Sequence, residues 1–222
     1  MPNQTEKFIE KEADEWFLRN KLILNKNLKG VYNIPINMII NILKKGDFIL
    51  EIGCSNGRNL NEIFLKTEGN CFGIDPSNIA ILEGKKMFPK INLNFGIAND
   101  LNFENQKFDV VWFGFCMYLI DRSLLMKAVS EADRVLKENG FLVITDFDPI
   151  YPFRNKYLDM DQIHSYKADY SKLFLGNPSY SLVEKKSYSH KSSCFHRDEN
   201  QRIATWILNK SILNGYAERA NS

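Results

Sequence analysis

The sequence predicts a doubly wound α/β fold, because short apolar runs alternate with amphipathic helical segments through its central part. Most of these runs lack the alternation of polar and apolar residues typical of a half-solvated strand. They therefore favour strands that are buried on both faces of a parallel sheet. A glycine-containing loop follows the first run directly, which predicts a ligand-binding turn at the sheet edge.

The predicted elements follow one another in a regular order. Helices are expected at residues 5–25 and 34–45. Strands are then expected at residues 48–50, 70–74, 91–96, 108–113 and 141–145. The helices between them are predicted after Gly57, over 76–87 and over 124–136. Residues 148–178 have no clear period and predict an insertion with short helices, and two last strands are expected at Tyr180–Ser189 and Arg202–Asn209.

These elements divide the chain into an N-terminal helical cap, residues 1–45, and one α/β domain, residues 46–222, which contains the insertion. No low-complexity stretch or internal repeat interrupts the 222 residues. We expect a monomer or a homodimer.

Composition excludes several classes of protein. The chain has 44% hydrophobic and 25% charged residues, as globular proteins do. Its formal net charge of +2 is too small to favour a nucleic-acid partner or an anionic membrane. The charged N-terminus is unlike a signal peptide, and no apolar stretch reaches the ~20 residues of a membrane-spanning helix. We therefore expect a cytoplasmic protein without membrane contact.

The four cysteines do not indicate a metal centre. They form no CxxC pair, and no cysteine–histidine group has the spacing of a zinc site. We expect reduced thiols, as in a cytoplasmic protein, at Cys54, Cys71, Cys116 and Cys194.

The clearest motif is Leu50-Glu51-Ile52-Gly53-Cys54-Ser55-Asn56-Gly57. A strand here enters a tight turn and then a helix, and Gly53 permits a close approach of ligand to backbone. The loop lacks the Lys-Ser/Thr of a P-loop and departs from GxGxxG, which disfavours nucleoside triphosphates and dinucleotides. Glu51 also disfavours a diphosphate but suits an ammonium group. The alternative is a plain strand–helix turn without a ligand.

A second acid ends the next predicted strand, in Gly73-Ile74-Asp75-Pro76-Ser77. It follows the glycine loop by roughly 20 residues, where an acid can accept both hydroxyls of a ribose. Alternatively, Asp75 caps the following helix with Pro76 at the first helical position, and the two roles are compatible.

Five motifs between Phe48 and Pro149 together resemble the cofactor-binding half of class I S-adenosylmethionine (SAM) dependent methyltransferases. They are the loop 51–57, the acid at 75, and the segments 95–101, 108–111 and 134–142. The resemblance implies a Rossmann-like, seven-stranded, mostly parallel sheet with an antiparallel C-terminal hairpin. It also implies methyl transfer as the activity, with SAM as the cofactor. The SAM-binding residues it implies are Glu51, Gly53, Cys54, Asn56, Gly57, Asp75, Pro76, Ala98, Asn99 and Phe115.

Two positions depart from the family pattern. Ser55 replaces a glycine that the family often has, and Ile97 replaces the acid that usually contacts the adenine amine. We therefore expect the backbone of Ala98, together with Asn99 or Asp100, to contact adenine.

The segment Asp14–Asn20 is similar to an element that precedes the SAM domain in methyltransferases associated with bacterial surface sugars. This similarity implies that the first helix covers the cofactor and that Arg19 pairs with the SAM carboxylate. It also implies a sugar or nucleotide-sugar as acceptor. The alternative for Arg19 is an ordinary surface position.

Methyl transfer from a sulfonium needs donor and acceptor to be held in line, so no catalytic triad is required. An oxygen or nitrogen acceptor does benefit from a general base. Asp146 is the first candidate, because it leaves the strand nearest the expected methyl group. His164 is the second, because the pKa of histidine suits a base near neutral pH.

The leading hypothesis is thus O- or N-methylation of a small molecule. An RNA or protein methyltransferase would have a basic face, for which Lys185–Lys191 is a candidate, although a solvated strand end is the simpler interpretation. A nicotinamide-dependent oxidoreductase is disfavoured by Glu51 and Ser55. A non-catalytic SAM-binding protein stays open because of Ile97.

Overall fold

A computed structural model describes residues 4–25, 33–157, 160–216 and 218. The sheet strands are named here in chain order. They are β1 (Phe48–Ile52), β2 (Asn70–Asp75), β3 (Asn92–Phe95), β4 (Phe108–Gly114), β5 (Leu136–Phe147), β6 (Phe153–Tyr157), β7 (Met160–Lys167), β8 (Tyr180–Ser189) and β9 (Arg202–Lys210).

Seven of these strands form one sheet in the order β3-β2-β1-β4-β5-β9-β8. Strands β1 to β5 run parallel, whereas β9 is antiparallel to both β5 and β8. The predicted Rossmann-like sheet with its C-terminal antiparallel hairpin is therefore confirmed. The strand order reverses between β1 and β4, and such a reversal opens a crevice at the carboxyl ends of the strands.

The helices cover both faces of this sheet and agree closely with the predicted ones. They are α1 (Gln4–Lys7), α2 (Ala13–Asn25), α3 (Asn33–Ile42), α4 (Arg58–Thr67), α5 (Asn78–Met87), α6 (Leu125–Val135), α7 (Lys172–Leu175) and α8 (Ile212–Gly215). A π-helical turn, Phe8–Glu12, joins α1 to α2. No helix within the described ranges has the length and apolarity needed to cross a membrane.

The core explains why the predicted strands lack polar alternation. Side chains on both faces of β1, β4, β5 and β9 are almost fully buried, including Leu50, Val111, Trp112 and Trp206. A strand between two helical layers has no solvated face, so both sets of alternating positions are apolar. By contrast β8 lies at the sheet edge, and its residues 181–186 are exposed.

The expectation of short helices in residues 148–178 is wrong for the first part of this stretch. Strands β6 and β7 pair there as an antiparallel hairpin, and α7 is the only helix among the described residues of this stretch. Ile163, Ser165 and Lys167 are buried while His164 and Tyr166 between them are half-buried, which is the two-residue period of a strand. Two of these three inward residues are polar, so hydrophobicity did not reveal the period.

The N-terminal helices contact separate parts of the α/β body. Helix α1 lies against β7, α2 against α5, and α3 against α4, β5 and β9. The division into a cap over residues 1–45 and a domain over 46–222 stays a prediction.

Candidate active site

A cleft of about 550 Å³ opens at the carboxyl ends of the parallel strands, beneath the N-terminal helices. One part, here called the loop half, is lined by Gly53–Ser55, Asp75, Gly96–Asn99 and side chains of α2. The other part, here called the aromatic half, is lined mainly by ring-bearing side chains. Its residues are Phe115, Tyr118, Phe147, Tyr157, Ser165, Lys167, Tyr188 and His190.

The loop half begins with a turn that needs glycine at two positions. Gly53 and Gly57 have φ angles of +79° and +75°. A Cβ atom on Gly53 would lie 2.7 Å from Cβ of Cys116, and one on Gly57 would lie 2.6 Å from a methyl carbon of Leu93. Both distances are shorter than non-bonded carbon atoms allow, so the turn keeps its shape only with glycine at both positions. Ser55 also adopts a positive φ, +50°, where the family often has glycine.

Three buried polar atoms in or beside this turn have no hydrogen-bond partner among the described residues. They are Oε2 of Glu51, Oγ of Ser55 and Nδ2 of Asn56. A buried polar atom that lacks a partner costs about 1–3 kcal/mol. Three such atoms in one turn indicate a site that a polar ligand completes.

Glu51 is the acidic member of this group. Its Oε1 accepts a hydrogen bond from Asn59 Nδ2 at 3.0 Å. Burial raises the pKa of Glu51 from its ordinary value of 4.5 to about 8, and the negative charge of Asp75 adds to the increase. The carboxyl group lies behind Gly114 and Asn59, which both line the cleft. A cationic group in the loop half would favour its ionised form.

Asp75 lies on the cleft wall with both carboxylate oxygens oriented by the backbone. Oδ2 accepts from the Ser55 amide and Oδ1 from the Ser77 amide, each at 2.8 Å. Burial raises the pKa of Asp75 to about 6. The cap of α5 is Ser77, whose Oγ accepts from the Ala80 amide. Asp75 is therefore not the helix cap, and Pro76 precedes the cap instead of occupying the first helical position.

Helix α2 covers the loop half and is fixed to α5. Oδ1 of Asp14 accepts from Ser77 Oγ at 2.6 Å and from the Ile79 amide at 3.0 Å. Lys21 forms an ion pair with Glu83 of α5. Ala13, Trp16 and Asn20 of α2 consequently line the cleft.

Arg19 lies on the same helix but outside the cleft lining. Its guanidinium pairs with the buried Glu12 of the π-helical turn, which raises the pKa of Arg19. The side chain is 43% exposed. The assignment of Arg19 to the SAM carboxylate stays a prediction, and such a contact would compete with Glu12.

The segment Gly96–Asn99 forms another wall of the loop half. Two side chains of α6 hold the backbone that follows this segment: the Leu101 amide donates to Glu131, and the Leu101 carbonyl accepts from Arg134. Ile97 presents an apolar side chain to the cleft at the position where the family has an acid. The predicted adenine contacts of Ala98 and Asn99 are compatible with their place in this wall.

The implied SAM-binding residues fall into two groups. Seven of them line the cleft: Gly53, Cys54, Asp75, Pro76, Ala98, Asn99 and Phe115. The other three support the turn from behind: Glu51, Asn56 and Gly57.

The aromatic half is built around four rings in mutual contact. Phe115 lies with its ring centroid 5.1 Å from that of Phe147 and 5.2 Å from those of Tyr118 and His190. Phe115 has a φ of +62°, which is rare for a bulky residue and is typically found at functional sites. This backbone conformation follows directly after β4.

A chain of buried hydrogen bonds supports these rings from below. Trp112 Nε1 donates to Thr145 Oγ1 at 3.0 Å, and Thr145 and Thr205 share a hydroxyl contact of 3.1 Å. The Tyr188 hydroxyl then lies 2.8 Å from Thr205 Oγ1. Each polar atom of this chain has a partner, which keeps the floor of the aromatic half rigid.

Asp146 lies close to this half but does not line the cleft. It is fully buried and accepts from the amides of Tyr118 (3.2 Å) and Phe147 (2.8 Å). Burial raises the pKa of Asp146 to about 7. Its carboxylate thereby fixes the turn that carries Tyr118.

His164 also lies outside the cleft lining. Its backbone amide and carbonyl are bound by the side chain of Gln4, at 3.0 and 2.9 Å. The catalytic roles of Asp146 and His164 stay predictions, and the position of neither side chain supports them.

His190 is a site residue that the sequence analysis missed. It follows β8, lines the cleft, and packs edge-on against Phe115 and Phe147. Burial and the nearby Lys167 lower its pKa. The imidazole is therefore neutral near pH 7 and has one nitrogen that can accept a proton. The only signal in the sequence was a histidine at the end of a predicted strand.

Comparison with known proteins identifies the central segment. Residues 49–140, which include the turn, Asp75 and the end of β4, match the family model described as a methyltransferase domain. This segment is thus identified as a methyltransferase domain, and the strand order of the sheet is that of the class I SAM-dependent enzymes.

Two relatives are similar to this chain in sequence. The chain is 32% identical over 130 residues to an uncharacterized protein of Methanocaldococcus jannaschii, with 57% of this chain and 46% of that protein covered. It is 33% identical over 112 residues to the ubiquinone/menaquinone biosynthesis C-methyltransferase UbiE of Campylobacter jejuni, with 47% and 46% covered. The chain thus spans about half the length of the curated relatives it matches.

Solved structures share the fold of this chain over most of its length. The 1,6-didemethyltoxoflavin-N1-methyltransferase of Burkholderia thailandensis, solved with 1,6-didemethyltoxoflavin and S-adenosylhomocysteine (SAH), has a TM-score of 0.69 at 10% identity and covers 95% of this chain and 91% of its own. A SAM-dependent methyltransferase of Methanosarcina mazei has a TM-score of 0.65 at 17% identity, with 78% and 97% covered. At these identities the similarity is one of fold.

Proposed function

We propose that this protein transfers the methyl group of SAM to a small-molecule acceptor bound in the aromatic half of the cleft. The observation that carries the proposal is the loop half. Three buried polar atoms without described partners lie in or directly behind its turn, close to Asp75, at the crevice where the strand order reverses. A ligand with an amino-acid group and a ribose would contact Ser55 and Asp75, and its ammonium charge would stabilise the ionised Glu51 behind the turn.

The residues present fit SAM. Glu51 and the turn at Gly53–Asn56 would hold its amino-acid end, because an ammonium group offsets the cost of the buried Glu51 carboxylate. Asp75 would accept hydrogen bonds from the ribose hydroxyls. Ala98 and Asn99 would hold adenine against the apolar Ile97. When bound, SAM supplies a methyl group that is already activated by the sulfonium.

The chain itself then contributes positioning and exclusion of water. Helix α2 covers the loop half, and Phe115 projects into the aromatic half immediately after Gly114, which lines the cleft near Gly53. Holding the acceptor in line with the methyl group accounts for much of the acceleration of such a transfer, and well-oriented proximity is worth about 7–11 kcal/mol.

For an oxygen or nitrogen acceptor, we favour His190 as the general base over Asp146 and His164. Its imidazole lines the cleft and is neutral near pH 7, so that it can take a proton from the acceptor. Asp146 instead accepts backbone hydrogen bonds behind Tyr118.

The acceptor is a ring compound in this proposal, because four rings surround its site. A sugar or nucleotide-sugar fits this description, and so do the ring compounds in the names of two similar proteins, ubiquinone/menaquinone and 1,6-didemethyltoxoflavin. A small molecule is favoured over nucleic acid by the net charge of +2. We further propose a cytoplasmic monomer or homodimer, on the ground that all four cysteines are free thiols.

Calorimetry with SAM and SAH tests the cofactor assignment. The wild-type protein is expected to bind both, and Asp75→Ala to bind both at least about 10-fold more weakly, since two hydrogen bonds to a charged group are lost. Asp47→Ala is the matched control, because Asp47 also accepts a backbone hydrogen bond, from the Lys44 amide, but lies away from the cleft. The absence of binding to either compound would overturn the proposed function. An unchanged affinity in Asp75→Ala would remove the ribose role.

A further inference from the structure

Lys167 at the end of β7 places an ammonium group in the wall of the aromatic half. The residue is only 8% exposed, and it lines the cleft. Its Nζ lies 4.1 Å from the centroid of the Phe147 ring. Its hydrogen-bond acceptors are both in Asn200, the carbonyl oxygen at 3.5 Å and Oδ1 at 3.2 Å.

No carboxylate forms a direct ion pair with this lysine in the part of the chain that the structure describes: none of its oxygens lies within 4.0 Å of Nζ. Burial lowers the pKa of Lys167, and the more distant charges of Asp198 and Asp146 offset this only in part. The other buried lysine has acidic compensation: Lys210, 5% exposed, pairs with Asp133 at 3.0 Å and donates to its carbonyl at 2.8 Å. Lys185, less deeply buried, pairs with Asp148 at 2.8 Å.

A buried ammonium without a direct counter-charge is costly, because the loss of hydration is only partly offset. The two contacts to Asn200 offset little of this cost, since both acceptors are neutral, one lies at 3.5 Å and the other, at 3.2 Å, is at the long end of the normal range. The favourable contact with the Phe147 ring is also modest. An anion in the cleft would balance the charge, and the cleft is the open side of Lys167.

We propose that the acceptor of this enzyme is a ring compound bearing a carboxylate or a similar oxyanion, which Lys167 binds while the ring lies among Phe115, Tyr118, Phe147 and His190. The inference rests on the proposed function and adds the charge of the acceptor to it. The arrangement gives each part of the acceptor a separate partner: aromatic rings for its ring, Lys167 for its anion and His190 for its reacting group.

Two probes of the same shape test the charge preference. 4-Hydroxybenzoate carries a ring, a hydroxyl and a carboxylate, and 4-hydroxybenzamide replaces the carboxylate by a neutral amide. Their binding to the SAH-loaded, full-length protein is measured by calorimetry or ligand-observed NMR. The carboxylate is expected to bind about 10- to 100-fold more tightly than the amide, the range for one charge-assisted hydrogen bond. Equal affinities for the two probes, or no binding of either probe, would overturn the inference. The wild-type protein alone is enough for this test.

Substitutions assign the preference to Lys167. Lys167→Met is expected to abolish it and Lys167→Arg to retain most of it, while Lys186→Met on the exposed part of β8 serves as a matched control. A preference that persists in Lys167→Met would mean that the lysine only anchors Asn200, and the inference would fall. SAH affinity is measured first in every protein. If the wild type does not bind SAH, the proposed function is overturned. If the wild type binds SAH but shows no preference for the carboxylate, only this inference is overturned.

Discussion

The two halves of the cleft are built in opposite ways. The loop half comes from one stretch of chain, Gly53–Asn99, with α2 placed over it, and glycines and other small residues such as Ser55 and Ala98 are frequent in its lining. The aromatic half brings together the ends of β4, β5, β7 and β8, and most of its lining residues carry rings. The loop half therefore suits a ligand that stays the same throughout a family. The aromatic half suits a ligand that differs from one family member to the next.

The halves also differ in how well their polar groups are satisfied. The turn of the loop half has three buried atoms without described partners, whereas the Trp112–Thr145–Thr205–Tyr188 chain under the aromatic half is complete. Ligand binding is therefore expected to order the loop half more than the aromatic half. Within the aromatic half, Lys167 is the exception, because its ammonium group has no direct ion pair among the described residues.

The largest effect that is confined to one half of the cleft is expected from His190→Gln. It removes the proposed base and should lower turnover by about 10²- to 10⁴-fold, the usual contribution of general acid–base catalysis. SAH affinity should not change, because His190 lies in the aromatic half. Turnover is measured as SAH release with an acceptor selected by screening small hydroxyl and amine compounds.

His164→Gln and Asp146→Asn are the controls for this experiment. His164→Gln should retain most of the turnover, since its side chain does not line the cleft. Asp146→Asn should lower turnover far less than His190→Gln, through the turn at Tyr118, because an NH2 group replaces one of the two oxygens that accept backbone hydrogen bonds. If Asp146→Asn is inactive with normal SAH affinity while His190→Gln is active, Asp146 is the base after all.

The next largest effect is expected from Gly53→Ala in the loop half. The added Cβ would lie 2.7 Å from that of Cys116, at a φ of +79° that strains any residue with a side chain. We expect SAH affinity, measured by calorimetry, to fall at least about 100-fold as the turn shifts to relieve about 1–3 kcal/mol of strain.

Gly46→Ala separates backbone strain from the loss of the ligand site. Gly46 has a φ of +89°, but no atom lies within 4 Å of its added Cβ, and it is remote from the cleft. This variant should lose about 1 kcal/mol of stability and bind SAH normally. Equal SAH affinities in Gly53→Ala and the wild type would show that the turn does not hold the cofactor.

Glu51→Gln is expected to produce the smallest but most diagnostic effect. Because the pKa of Glu51 is raised to about 8 in the folded state, the folded protein retains a proton that the unfolded chain loses near pH 4.5. This group therefore lowers stability progressively as the pH rises from about 4.5 to about 8. The glutamine side chain does not titrate, so the variant should gain stability relative to the wild type across this range, by more than about 1 kcal/mol at pH 8.

The same substitution should weaken SAM binding about 10-fold, since an ammonium–carboxylate contact becomes neutral. Chemical denaturation at several pH values measures the first effect and calorimetry the second. A variant that is more stable at pH 8 and binds SAM as the wild type does would show that Glu51 has no role in holding the ammonium group.

Most of the fold could be predicted from the sequence because its strands are buried on both faces and differ plainly from the helices between them. The bounds of β8 agree with the predicted Tyr180–Ser189. The β6–β7 hairpin could not be predicted in this way, because its inward positions include Ser165 and Lys167. Their polarity follows from the cleft they face, which the sequence alone does not show.

The two halves of the site also differ in how well the sequence predicts them. The loop half is recognisable because its residues lie close together in the sequence and in fixed order. The aromatic half is assembled from distant segments, so His190 and Lys167 could not be related to Phe115 before the chain was folded. The exclusion of Asp146 from the lining has a simple reason. Thr145 and Phe147 both face the cleft, and a strand turns every second residue away.

Ser77 connects the covering helix with the acid proposed to hold the ribose. Its hydroxyl donates to Asp14 of α2 while its amide donates to Asp75. Under the proposed function we expect exchange of SAH for SAM to move α2 away, and this movement would remove one of the two carboxylates that orient Ser77. We therefore expect product release to begin with a weaker contact between Asp75 and the ribose of SAH. The protein would then uncover the cofactor and bind it less tightly in the same step.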